Sequence, residues 1–366
     1  SDITWKDDSS GFYYNKYPRP LSENRLSQQS YDAAIYFADI RTGEEKLFYG
    51  QINPEQNYTV SFIGEDKKIL IKVITGSEEE NFYLFGKSLE TLEPITPINQ
   101  ASFNYVHADD DGLFFITNLE ADNYRLVKVL FADLQMVEVV SEDNFALKGV
   151  SFVNDYLIAD YIDHADMRSA IVFFNHSGER LDVTLPESLS GTIGGFQSIG
   201  DDEIMFSLTS YTQPVQYFSF DFTNNSLELL WEEAIPGFNP NDYTEVNTNY
   251  ESKDGTMVPI TYSYKSSTKL NKDTPIFLYA YGGYNISIRP SFTPKYVAWL
   301  EMGGVLAVAN IRGGGEFGKA WHNAGRLGTK QNVFDDFLYA SKFLESNDIG
   351  NRKSTVISGR SNGGLL

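Results

Sequence analysis

Ser361 is the residue around which chemistry can be built. It centres Gly359-Arg360-Ser361-Asn362-Gly363, a G-x-S-x-G run directly after a predicted strand over 354–358. A strand that turns sharply into a helix at such a serine forces strained dihedrals on it, and small residues on either side relieve the crowding. The hydroxyl then stands above the sheet, while N–H groups of the following helix face the reacting carbonyl oxygen. Taken alone, the run also describes a plain glycine turn. A second element, Tyr279-Ala280-Tyr281-Gly282-Gly283-Tyr284, closes the predicted strand 275–279. An oxyanion hole in such a fold takes one donor from the residue after the nucleophile and another from an earlier loop. Tyr281 carries a phenolic O–H suited to that role, and the paired glycines permit a close approach.

Three other features suggest chemistry and fail. Gly313, Gly315 and Gly318 satisfy G-x-G-x-x-G after a predicted strand, but the following segment contains Gly325 and Gly328, and the acids available, Asp335 and Asp336, lie on a predicted helix and not at the end of a next strand. Gly313 to Lys319 fits G-x-x-x-x-G-K, yet Ala320 stands where a phosphate loop needs a hydroxyl for magnesium. This run reads instead as a tight loop in a hydrolase sheet, with Arg312 and Glu316 in local ion pairs. His322 invites assignment as a base but precedes Ser361. The α/β-hydrolase order is serine, then acid, then histidine, so His322 is expected to be structural and the true base and acid to follow residue 366.

The elements that position Ser361 form the second of two parts. Residues 236–244, rich in Pro, Gly and Asn, read as a linker. After it come a hairpin over 245–252 and 257–264, strands at 275–279, 305–310 and 354–358, and an amphipathic helix over 332–345. That helix carries Val333, Phe337, Ala340 and Leu344 on one side. Strands alternating with helical or irregular connections indicate an α/β sheet.

The first part is a repeat. Short apolar runs end at Phe37, Phe85, Phe131, Phe174 and Phe220, at intervals of 48, 46, 43 and 46 residues. Each is followed by a polar turn and a second alternating strand, such as 181–185 or 227–231. Two further strands lie between the hairpins, as at 59–63 and 68–73. Four strands in about 45 residues is the period of a β-propeller blade. The predicted fold is a β-propeller of several four-stranded blades, about five in view over 1–235. The N-terminal part of an α/β-hydrolase domain follows over 236–366. Both parts are expected to be truncated: residues 1–6 read as the inside of a strand, and more blades are expected upstream.

Composition narrows the rest. A net charge of −21 disfavours nucleic acid, whose phosphates need Lys and Arg. No apolar stretch approaches the ~20 residues of a membrane span. Zero cysteines remove disulfides, thiolate catalysis and Cys-ligated metal. They suit a reducing cytoplasm without excluding a periplasm, so the compartment stays open. The four histidines are scattered without zinc-binding spacing.

The run Tyr281-Gly282-Gly283-Tyr284-Asn285-Ile286-Ser287-Ile288 resembles prolyl oligopeptidase. So do Met302 to Gly318, the run from Lys330 to Phe337, and Ser361-Asn362-Gly363-Gly364. The match is dense over about 120 residues of the second part; the first part is similar in architecture and repeat length only. The resemblance implies a seven-bladed propeller capping an α/β-hydrolase that cleaves short peptides after proline, the propeller excluding folded proteins. It also implies that Ser361 is the nucleophile, that Tyr281 O–H and Asn362 N–H hold the oxyanion, and that Asn362 and Tyr284 contribute to the proline pocket. The pocket tryptophan and the triad acid and histidine would follow residue 366.

Three positions depart from the family pattern: Arg360 and Ala280 where Gly is usual, and Tyr284 where Phe is usual. None removes a catalytic group. The expected partners are short proline-containing peptides, with no nucleic acid, membrane, metal or cofactor, and a monomeric state. The 366 residues alone are expected to be inactive for want of a base. Two alternatives stand beside this reading: a basic-residue oligopeptidase of the same fold, which usually has Ala where Asn362 stands, and a non-catalytic propeller interaction module.

Overall fold

The computed structural model describes residues 3–18, 32–75 and 81–366. By compactness the chain divides into two units, one of residues 1–121 with 125–139 and the other of residues 122–124 with 140–366.

The first unit holds three antiparallel sheets whose strands pair in sequence order. The first comprises Ile3–Trp5, Gly11–Lys16, Ala34–Asp39 and Glu45–Gly50. The second comprises Gln56–Ile63, Lys68–Thr75, Asn81–Gly86 and Glu93–Pro94. The third comprises Phe103–Ala108, Gly112–Thr117, Arg125–Leu130 and Met136–Val140. Of the strand expected at the N-terminus, Ile3–Trp5 is formed; Ser1 and Asp2 lie outside the described residues.

Central strands read as unbroken apolar runs because both their faces are covered. Gly112–Thr117 is buried at every position. One core packs Ile35, Tyr58, Val60, Ile71 and Val73 together, and a second packs Leu70, Phe103, Leu113, Phe115 and Val127. The recurrent phenylalanines mark the third strand of each sheet or the residue just after it. Two of them touch across the period: the rings of Phe85 and Phe131 stack at 5.3 Å and 11°.

The second unit contains two further antiparallel sheets and one mixed sheet. Thr192–Gly200, Glu203–Thr209, Gln216–Asp221 and Ser226–Glu232 form a full four-stranded meander. The preceding sheet departs from expectation, having only Leu147–Val153, Tyr156–Asp163 and Arg168–Asn175. The predicted strand 181–185 is reduced to a single bridge between Phe174 and Arg180. Its alternation was still a true signal of burial, since Leu181, Val183 and Leu185 pack on the core of Ile158, Phe173 and Phe206. Burial of one face was met by side chains alone, without a backbone ladder.

A mixed sheet follows in the order Tyr243–Glu251, Met257–Lys265, Val305–Ala309, Ile276–Tyr279, Thr355–Ile357. The outer hairpin is antiparallel, and Ile276–Tyr279 lies parallel to both of its neighbours. Strands buried on two faces need continuous apolar sequence, and Val305–Ala309 is buried throughout. Helix Gln331–Ser346 buries Val333, Asp336, Ala340 and Leu344, one stripe at helical spacing. A carboxylate on that stripe is the anomaly. No helix among the described residues is long and apolar enough to cross a membrane.

Candidate active site

The strand Thr355–Ile357 leads through Gly359 to Ser361, which stands at φ 56, ψ −126, immediately before helix Asn362–Leu365. That conformation is sparsely populated for any residue with a Cβ. The surroundings hold it there. A Cβ on Gly359 would lie 1.9 Å from the Gly363 carbonyl oxygen, so only glycine passes beneath the turn. The Ser361 side is open to solvent, whereas Asn362 and Gly363 are buried.

Tyr281 follows the parallel strand Ile276–Tyr279, and its hydroxyl sits 3.5 Å from Ser361 Oγ as donor. The elbow and the earlier loop are therefore brought together. Asn362 joins them: its Nδ2 donates to the Tyr281 carbonyl, and its Oδ1 accepts from Lys330 Nζ at 3.0 Å. Gly283 makes room for this amide, since a Cβ there would fall 2.6 Å from Asn362 Nδ2. Tyr284 is 69% exposed at φ 55 and presents a free aromatic surface beside the bend. Arg360 is exposed and Ala280 is buried, and neither departure disturbs the turn.

The glycine run after Val305–Ala309 is a packing device. Cβ atoms at 313, 314, 315 and 318 would meet Gly282 O at 2.6 Å, Glu316 Oε2 at 2.1 Å, Asn285 O at 2.5 Å and Asp122 O at 2.4 Å. The N–H groups of Gly313 and Gly318 donate to Trp321 O and Gly315 O, so they are not offered to a phosphate.

His322 is buried, and its Nδ1 lies 2.7 Å from Gly313 O. The Asn285 N–H lies 3.1 Å from the same nitrogen and 3.2 Å from Gly313 O, so the ring is wedged against both loops. Burial lowers its pKa, which keeps the ring neutral. This is a brace for the glycine loop.

Arg312 and Glu316 differ from the expectation of local ion pairs. Arg312 pairs with Asp336 and Asp254, 24 and 58 residues away. Its side chain opposes Asp254 so closely that this carboxyl is drawn down to about 2. Glu316, fully buried, instead accepts from Ile288 N–H at 2.9 Å and Asn310 Nδ2 at 3.2 Å. Burial pushes its carboxyl up, and burial pulls nearby Lys148 down to about 8. Both donors go to Oε1, and Oε2 is buried without a hydrogen-bond partner.

Lys330, Asp254 and Asp336 were not picked out by sequence reasoning as parts of the site's frame. Asp336 carried a signal, a charge three residues after Val333 and four before Ala340 on the apolar stripe. Lys330 carried one too, a cation where a helix begins.

Comparison with known proteins identifies the family. A family profile described as "Prolyl oligopeptidase, N-terminal beta-propeller domain" matches residues 1–233. A second, "Prolyl oligopeptidase family", matches residues 290–366. The chain is 33% identical to a prolyl endopeptidase of Elizabethkingia miricola, covering 100% of this chain and 52% of that protein. It is 29% identical to a prolyl endopeptidase of Dictyostelium discoideum with the same coverage. A solved structure from a study of two prolyl endopeptidases aligns at a TM-score of 0.85 with 30% identity, covering 100% of this chain and 54% of that one. The chain thus spans about half the length of the relatives it matches. Its architecture is a β-propeller domain followed by part of the peptidase domain, and the chain belongs to the prolyl oligopeptidase family.

Proposed function

We propose that this chain forms part of a serine peptidase that hydrolyses short peptides on the carboxyl side of proline. The observation that carries the reading is the strained Ser361 with its Oγ 3.5 Å from the Tyr281 hydroxyl. Ser361 Oγ attacks the carbonyl carbon as a general base of the full-length protein takes its proton, and the Tyr281 O–H and Asn362 N–H receive the oxyanion. The C–N bond breaks as that proton passes to the departing amine, and water, deprotonated by the same base, releases the acyl group and restores the Ser361 hydroxyl. Asn362 and Tyr284 contribute to the proline subsite, Tyr284 through its exposed ring. Residues 1–235 act as the propeller and 236–366 as the catalytic portion, in a monomer that takes short proline-containing peptides. The 33% identity to a prolyl endopeptidase, and Asn362 where the basic-residue enzymes usually have Ala, support this reading over the basic-residue one.

A fluorophosphonate probe applied to the full-length protein should label Ser361, with Ser361→Ala abolishing the label. Tyr281→Phe should lower kcat by ~10²–10³-fold with little change in KM, the size expected for one oxyanion donor. Labelling that survives Ser361→Ala would remove the assigned role. Faster cleavage of an arginine-linked than a proline-linked chromogenic peptide would overturn the specificity.

A further inference from the structure

We infer that Lys330 is a positioning residue that locks the two halves of the oxyanion hole to each other. This inference rests on the active-site reading above. The Lys330 ammonium donates to Gly282 O at 2.8 Å and to Asn362 Oδ1 at 3.0 Å. One acceptor belongs to the loop that carries the Tyr281 phenol. The other belongs to the residue whose N–H is the second oxyanion donor.

The ammonium also decides which way the Asn362 amide faces. With Oδ1 on Lys330, Nδ2 points at the Tyr281 carbonyl and donates to it. The flipped amide would set NH2 against a cation and oxygen against oxygen, losing both bonds. One side chain therefore orients Asn362, and Asn362 in turn ties Tyr281 to the elbow.

Local rules speak against a lysine here for any purpose of its own helix. Lys330 is the N-cap of Gln331–Ser346 and makes no capping bond. A cation at that end opposes the helix dipole, and Ser, Thr, Asp or Asn would serve the orphan N–H groups. Burial also lowers its pKa, so its two acceptors stand in for lost water. Residues that break a local rule without local gain mark functional sites. Val333, one turn further, closes the same bend: a Cβ on Gly282 would lie 2.6 Å from Val333 Cγ1.

The test uses the full-length enzyme with a proline-linked chromogenic peptide and a peptidyl-prolinal aldehyde as tetrahedral analogue. Lys330→Met is expected to lower kcat by ~10–10²-fold, the cost of misplacing a reacting group by about 1 Å, with KM changed less than about threefold. Aldehyde affinity should fall by the same factor as kcat. Combined with Tyr281→Phe, the loss should be less than the product of the two single losses, because both act through one loop. If Lys330→Met does not fold, Lys330→Gln is read in the same way. A kcat within about twofold of the parent, or a fully multiplicative double variant, overturns the inference. Activity surviving Ser361→Ala would instead overturn the underlying assignment of the site, so the two failures are distinct.

Discussion

The guanidinium of Arg312 lies along the Asp336 carboxylate, Nε 2.9 Å from Oδ2, while the Arg312 backbone N–H reaches the same oxygen at 3.1 Å. One buried carboxylate thus fixes both the side chain and the main chain at the head of the glycine loop. Ser252 adds its hydroxyl, and Asp254 takes the other side of the guanidinium.

Asp336→Ala leaves a buried arginine without its main partner. The expected cost is ~3–5 kcal/mol, the range for breaking one side of a buried pair. Replacing both members with apolar residues, as in Arg312→Met with Asp336→Leu, should cost less than Asp336→Ala alone. Urea unfolding of the three chains decides the order.

Gly359→Ala places a methyl where the Gly363 oxygen now stands. The elbow must open, and Ser361 moves with it. A loss of fluorophosphonate labelling by at least ~10²-fold is expected in the full-length protein, from displacement alone. Gly363→Ala meets only Ala280 O at 3.4 Å and Tyr281 Cδ2 at 3.6 Å and should be the milder change.

His322 predicts how stability responds to acid. Its folded pKa lies below the ordinary histidine value because the ring is buried. The unfolded chain therefore takes up a proton first, near pH ~6.5. The stability this group protects is complete above that pH and is lost as pH falls toward the folded value. Unfolding free energy should decline below pH ~6.5. In His322→Asn, which is polar but does not titrate, the decline should be shallower.

The 366 residues by themselves should not turn over a proline-linked substrate. Among the described residues, the hydrogen-bond partner of Ser361 Oγ is a phenol, a poor general base at neutral pH. Measurable hydrolysis by this chain alone would contradict the reading of the site.

Much of this was legible because period and spacing are local. The recurring phenylalanine exposed the sheets, since it falls on the third strand of each or just after it. G-x-S-x-G exposed the elbow, since the turn itself demands glycine at 359. The strand expected over 181–185 misled because alternation reports a buried face, and a face is buried equally well by a chain that forms no ladder. The frame of the site was harder to see. Arg312 finds its partners 24 and 58 residues away, and no spacing rule links positions joined only by the fold. Lys330 looked like one more charge ahead of a helix until its acceptors proved to be a carbonyl and an amide on two different loops.

The backbone at 361 has a consequence for how such a protein withstands mutation. Holding a residue with a Cβ at φ 56, ψ −126 costs on the order of 1–3 kcal/mol. Glycine would occupy the position without that penalty, so the most comfortable residue for the chain is one that has no hydroxyl. With Ser361 as the proposed nucleophile, screening variants for thermal resistance alone would drift toward a sturdier protein that has lost the hydroxyl.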